Sequence, residues 1–75
     1  MKYSAILSDT YPTNLSKEHL GWIVEGIISQ DTATHGNHPI PDGYYITTSR
    51  LVDVVEEDGN KYLITNSTTY LLKED

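Results

Sequence analysis

Cysteine is missing from this 75-residue chain and so is phenylalanine, while methionine and tryptophan appear once each. Without thiols there is no disulfide and no thiolate metal site to supplement a small core. A domain of this length sits near the point where apolar burial only just outweighs chain entropy, and self-association is one common remedy. A homodimer is therefore expected on size alone. Cations are scarce as well: five Lys and Arg stand against eleven Asp and Glu, for a formal net charge of −6. Lys2, Lys17, Arg50, Lys61 and Lys73 are scattered along the chain, whereas holding a phosphate backbone takes clustered cations. Direct nucleic-acid binding and attachment to an anionic membrane are both disfavoured. No apolar run approaches membrane-spanning length, and no basic, apolar, small-residue leader opens the chain. The expectation is a soluble cytoplasmic protein with one domain over residues 1–75.

What is present is mostly β-forming. Leu51 to Glu57 is rich in valine, Asp58-Gly59 interrupts it, and Asn60 to Thr65 resumes with Tyr, Leu and Ile. Asp-Gly between two such runs signals a two-residue hairpin, because both central positions need positive φ. That register sets Glu56 opposite Lys61, Val55 opposite Tyr62 and Val54 opposite Leu63, a charge pair and apolar pairs that reinforce one another. A second turn is expected at Asn66-Ser67, from the tolerance of Asn for left-handed backbone. It returns Thr68 to Lys73 with Tyr70 near Leu63 and Leu71 near Tyr62. The result is an antiparallel meander over about residues 44–73. One face holds Ile46, Val52, Val54, Leu63 and Tyr70; the other holds Leu51, Val55, Tyr62, Ile64 and Leu71. An antiparallel sheet with one wet face alternates more cleanly than this. The sheet therefore either curls into a small, partly closed barrel or packs a second face on the N-terminal half or on another subunit.

The N-terminal half reads less directly. Lys2 to Ser8 is a further strand, and Asp9 to Asn14, with Pro12, is loop. Between Ser16 and Ser29, Leu20, Ile23, Val24, Ile27 and Ile28 recur at helical spacing, with Asn14 or Ser16 available as a cap. Gly21 and Gly26 interrupt that pattern, and Trp22 with four β-branched residues favours a strand. The preferred reading is a capped turn over residues 15–19 and a strand over about 20–29. The alternative is an α+β fold with one helix at about 15–29 laid on the sheet.

From Asn37 the chain runs Asn-His-Pro-Ile-Pro-Asp-Gly to Gly43, and then Ile46-Thr47-Thr48-Ser49-Arg50-Leu51-Val52. With Asn66-Ser67-Thr68-Thr69-Tyr70-Leu71-Leu72 near the end and a preceding strand holding Trp22 and Gly26, this resembles a group of small phage and prophage proteins. Their pattern is HP-x-x-x-DG, then I-x-TS-x-(I/V), then NS-x-Y-x-L. The likeness spans roughly residues 20–72, and this chain departs from it by an inserted Thr68 and a longer approach from Asp31 to Gly36. The resemblance implies a phage-type origin, hence a bacterial host cytoplasm, and a mostly β fold. It carries no known reaction.

Residues for chemistry are few. His35-Gly36-Asn37-His38 with Asp42 is the one spacing that approaches a metal set, but a Gly-Asn loop does not hold ligands rigidly, and no metal or other cofactor is expected. Gly-x-Ser-x-Gly, phosphate-cradling glycine loops and His-Glu-x-x-His are all absent. Glu56, Glu57 and Asp58 fall at a hairpin tip, where carboxylates stay solvated. The chain is therefore read as a non-catalytic binding protein. Asp53, Glu56, Glu57 and Asp58, extended by Glu74 and Asp75, make an acidic edge suited to a protein partner with a basic surface. Tyr44 and Tyr45 are candidate aromatic anchors, and Arg50 is a candidate for an ion pair within or between chains. Combined with size and phage-type likeness, these point to an inhibitor of a host nucleic-acid-targeting defence complex, anti-CRISPR-like in action. A small self-associating structural or assembly protein is the alternative.

Overall fold

A computed structural model describes residues 1–32 and 40–73. The protein is mainly β: six strands and no α-helix among these residues. The strands are β1 (Ala5–Tyr11), β2 (Glu25–Ser29), β3 (Tyr45–Thr47), β4 (Leu51–Glu57), β5 (Asn60–Thr65) and β6 (Thr69–Lys73). They form one sheet in the order β3-β2-β1-β6-β5-β4. Every pairing is antiparallel except β1 with β6, which run parallel from Ala5↔Tyr70 to Ser8↔Lys73. The sheet is thus mixed, where an antiparallel one was expected. Two antiparallel halves, one from each end of the chain, join along their inner strands.

The C-terminal hairpins follow the expected registers. Glu56↔Lys61, Val55↔Tyr62 and Val54↔Leu63 pair across β4 and β5, and Leu63↔Tyr70 and Tyr62↔Leu71 across β5 and β6. At the first turn Asp58 has φ 52° and Gly59 φ 80°, both positive as a hairpin matched to strand twist requires. The second turn uses other means. Asn66 has no left-handed backbone; instead the buried Thr65 hydroxyl accepts from the Thr68 N–H at 3.0 Å and donates to the Thr68 carbonyl at 2.7 Å.

The first part of the expected meander is broken at Thr48–Arg50, and the strands on either side, β3 and β4, lie at opposite edges of the sheet. A flat sheet of six strands would set its edge strands about 24 Å apart, whereas four Cα steps from Thr47 to Leu51 reach at most about 14 Å. The sheet must curl, and it does. The seam is made by residues 21–24, which precede β2: Val24 O accepts from Thr48 N at 2.8 Å, Trp22 O from Leu51 N at 2.8 Å, and Leu51 O from Gly21 N at 2.8 Å. Among the described residues no ladder joins β3 to β4, so the sheet is not closed into a barrel.

The curl encloses Leu7, Val24, Ile28, Leu51, Val54 and Leu63, with Leu15 closing the cluster from the loop after β1. Burying a leucine or isoleucine of this kind stabilises by about 1.5–3 kcal/mol. Val52, expected on the same face as Val54, is exposed, and Leu51, expected on the other face, is buried with Val54. A register shift between Leu51 and Asp53 opposite β5 is the cause, since one extra residue reverses the facing of everything before it.

Three further expectations change in the N-terminal half. β1 runs three residues beyond Ser8, because a bulge between Ser8 and Tyr11, with Asp9 at φ 49°, absorbs the polar Asp-Thr pair without ending the strand. The helix alternative at 15–29 is not realised. A 3-10 turn, Lys17–His19, is capped by Ser16, whose hydroxyl accepts from Glu18 N while His19 Nδ1 accepts from Ser16 N. The strand expected from residue 20 begins at Glu25, because residues 21–24 serve the seam.

Candidate interaction surface

The acidic tip is built by the β4–β5 hairpin. Glu56, Glu57 and Asp58 are exposed there and line an open groove of about 740 Å³ together with Ile6, Lys61, Leu71, Leu72 and Lys73. The tip carboxylates are not equivalent. Glu57 is bound by the N-terminal ammonium of Met1, and the arm that delivers it lays Tyr3 over Tyr62, with ring centroids 6.1 Å apart. Glu56 lies 3.8 Å from Lys61 Nζ, whose ammonium also donates to the Leu15 carbonyl at 2.9 Å. Asp58 extends into solvent at the turn itself.

Asp53 is not part of that tip. Its carboxylate accepts from the N–H of Val54 at 2.8 Å and lies 3.3 Å from Lys17 Nζ. These two partners, the N–H first, hold its pKa below the ordinary carboxylate value. Asp53 thus ties the 3-10 turn to β4. Arg50, although exposed, is likewise engaged within the chain. Its guanidinium donates to the Gly21 carbonyl at 2.9 Å and its own carbonyl accepts from Asn66 N at 3.2 Å. It braces the seam through a carbonyl; the expected ion pair is not formed with any described residue.

Tyr44 and Tyr45 stand on the other edge of the sheet, both more than half exposed. The Tyr45 hydroxyl donates to Glu25 Oε2 at 2.9 Å, and that carboxylate raises the Tyr45 pKa above the usual phenol value. Tyr62 and Tyr70, the other tyrosines of the meander, are buried. The acidic tip and the exposed tyrosines therefore occupy different edge strands, β4 and β3, and do not form one patch.

The structure also exposes Tyr11, Trp22 and Ile23, which sequence reasoning did not select. Trp22 meets His19 edge to face with centroids 5.1 Å apart. Strand alternation carries a partial signal for Ile23, since the fully buried Val24 follows it. Tyr11 carried none, because it was assigned to loop. Thr48 was missed too, although its buried hydroxyl accepts from Val24 N at 3.1 Å and donates to Ser49 O at 2.8 Å.

Asp42 accepts from Gln30 N at 2.7 Å and so shapes the turn before β3. His35, His38, Glu74 and Asp75 lie outside the described residues. Among those described, no three His, Asp or Glu side chains converge as a metal set would, and no helix is long and apolar enough to cross a membrane. The chain matches no protein-family model, no curated protein and no solved structure.

Proposed function

We propose that this chain is a non-catalytic acidic binding protein that engages a basic surface of a partner protein through the β4–β5 hairpin tip. The observation that carries the reading is the exposure of Glu56 and Asp58 at a hairpin turn that lines an open groove. Exposed carboxylates steer association with cationic surfaces. In its narrowest form the partner is a host nucleic-acid-targeting defence complex, whose cationic groove the tip would occupy in place of phosphates. That form adds the phage-type sequence likeness to the geometry.

The test is an affinity pull-down from bacterial lysate at low and then high salt, with mass spectrometry of the eluate and a parallel bait carrying Glu56→Gln and Asp58→Asn. Both positions are exposed, so the exchanges are expected to leave the fold intact. Salt-released recovery of a nucleic-acid-binding complex, lost with the exchanged bait and competed by added nucleic acid, supports the reading. Recovery that is indifferent to salt and to the exchanges refutes it.

A further inference from the structure

The two sheet edges are defended unequally. On β4 the outward N–H of Val54 is taken by the Asp53 carboxylate, Lys17 reaches across to that carboxylate, and Leu15 and Ser16 line a small pocket against Val54. Charges and covering loops of this kind keep an edge from pairing with another chain. β3 has no such defence: from Gly43 to Ser49 there is no charged residue and no proline.

Its main chain is also set up to pair. Thr48 N bonds Val24 O and Tyr44 O accepts from Ile28 N, and Gly26 lies opposite Ile46. Residues 44, 46 and 48 therefore face β2, and by antiparallel alternation the N–H and C=O groups of Tyr45 and Thr47 point away from it. Among the described residues, no backbone hydrogen bond reaches those groups.

We propose that the free edge of β3 pairs with β3 of a second copy of this chain, antiparallel about a two-fold axis through Ile46. Tyr45 and Thr47 flank Ile46 by one residue each, so the two-fold sets each Tyr45 opposite Thr47 of the other copy. Each such pair exchanges both N–H···O bonds and sets an aromatic residue opposite a β-branched one, a favourable cross-strand pairing. A foreign strand would satisfy the same main-chain groups, but the register is self-complementary, and the edge itself carries no carboxylate to repel a second copy. Two chains of net charge −6 repel, and β3 lies within a stretch that carries no carboxylate between Asp42 and Asp53. The nearest carboxylate on the adjoining strand, Glu25, is engaged by the Tyr45 hydroxyl.

Salt separates this contact from the acidic-tip reading, which rests on different residues. Screening weakens binding of opposite charges and strengthens association of like-charged copies. Sedimentation equilibrium over a concentration series, at low and high salt, is expected to show the mass rising from 8.4 kDa towards twice that value, with tighter association at high salt. Thr47→Pro removes an outward N–H and leaves the bonds of Ile46 to β2 in place; Thr47→Glu adds a charge to each pair. Each is expected to raise the dissociation constant at least tenfold with an unchanged circular dichroism spectrum, and Thr47→Glu decides if the proline variant does not fold. A single 8.4 kDa species at every concentration and salt overturns the proposal. A dimer that both variants leave undiminished overturns it equally.

Discussion

Replacing Gly26 by alanine tests a close approach between β2 and β1. Gly26 is buried in β2, and a β-carbon there would stand 2.9 Å from the Ser8 carbonyl oxygen, 3.0 Å from Leu7 Cγ and 3.1 Å from Thr10 Cγ2. The nearest atom is main chain, in β1 at its bulge, and cannot rotate aside as a side chain does. Overpacking a well-filled site costs about 1–3 kcal/mol, while the smaller unfolded-state entropy of alanine returns about 0.4–1 kcal/mol. The net expectation is a loss of about 1–2 kcal/mol. For a domain of this size each kcal/mol moves the melting temperature by about 4–8 °C, so Gly26→Ala should melt about 5–15 °C lower. Thermal unfolding followed by circular dichroism, with urea midpoints as a check, reads this directly. Gly26→Val should fall further, since the added methyls meet the same wall. A melting temperature unchanged or raised in Gly26→Ala would refute the close packing of β2 on the β1 bulge.

Other outcomes follow from features already described. Thr65→Val removes the hydroxyl that bridges the β5–β6 turn and leaves the buried Thr68 N–H without its acceptor; a loss of about 1–3 kcal/mol in urea unfolding is expected. Leu63→Ala opens a cavity in the centre of the core and should cost about 2–5 kcal/mol in the same assay. The Asp53 carboxyl has its folded pKa below its unfolded one, through the Val54 N–H and then Lys17. Its contribution is therefore complete above the unfolded value and is lost as pH falls through the folded value. Urea midpoints from about pH 6 down to about pH 2 should decline less steeply for Asp53→Asn than for the parent chain. Ultraviolet titration should find two tyrosines ionising above the usual phenol range, Tyr45 because of Glu25 and Tyr70 because of burial, and Glu25→Gln should bring down only the first.

Local chemistry made the C-terminal hairpins readable. Asp58-Gly59 is a turn whose backbone demands those residue types, and Glu56 with Lys61, like Val54 with Leu63, confirms its own register from the strand on either side. What the sequence hid is set by distant parts of the chain. Nothing in Leu51-Val52-Asp53 marks a bulge, so Val52 and Leu51 were assigned to the wrong faces. Thr48-Ser49-Arg50 reads as ordinary strand, and only the bonds to Gly21, Trp22 and Val24 explain the bend there. The acidic residues were visible as a cluster, but their division was not. Lys17 claims Asp53 and the Met1 ammonium claims Glu57 from remote positions, while Glu56 keeps only its cross-strand neighbour Lys61 and Asp58 faces outward at the turn.

The parallel pairing of β1 with β6 has a kinetic meaning. Ala5 and Tyr70 are partners across sixty-five positions of sequence, and this join lies at the middle of the sheet. Each flanking half can pair within itself through near neighbours, but their union must close nearly the whole chain into a loop, at a logarithmic entropic cost. Dominance of such distant contacts places folding towards the millisecond-to-second end of the range. During synthesis β1 and β2 can pair early, yet the inner flank of β1, with its Ala5 and Leu7, has no strand to meet until β6 emerges. For that interval the apolar interior is open to whatever else is near, and β6 completes the enclosure.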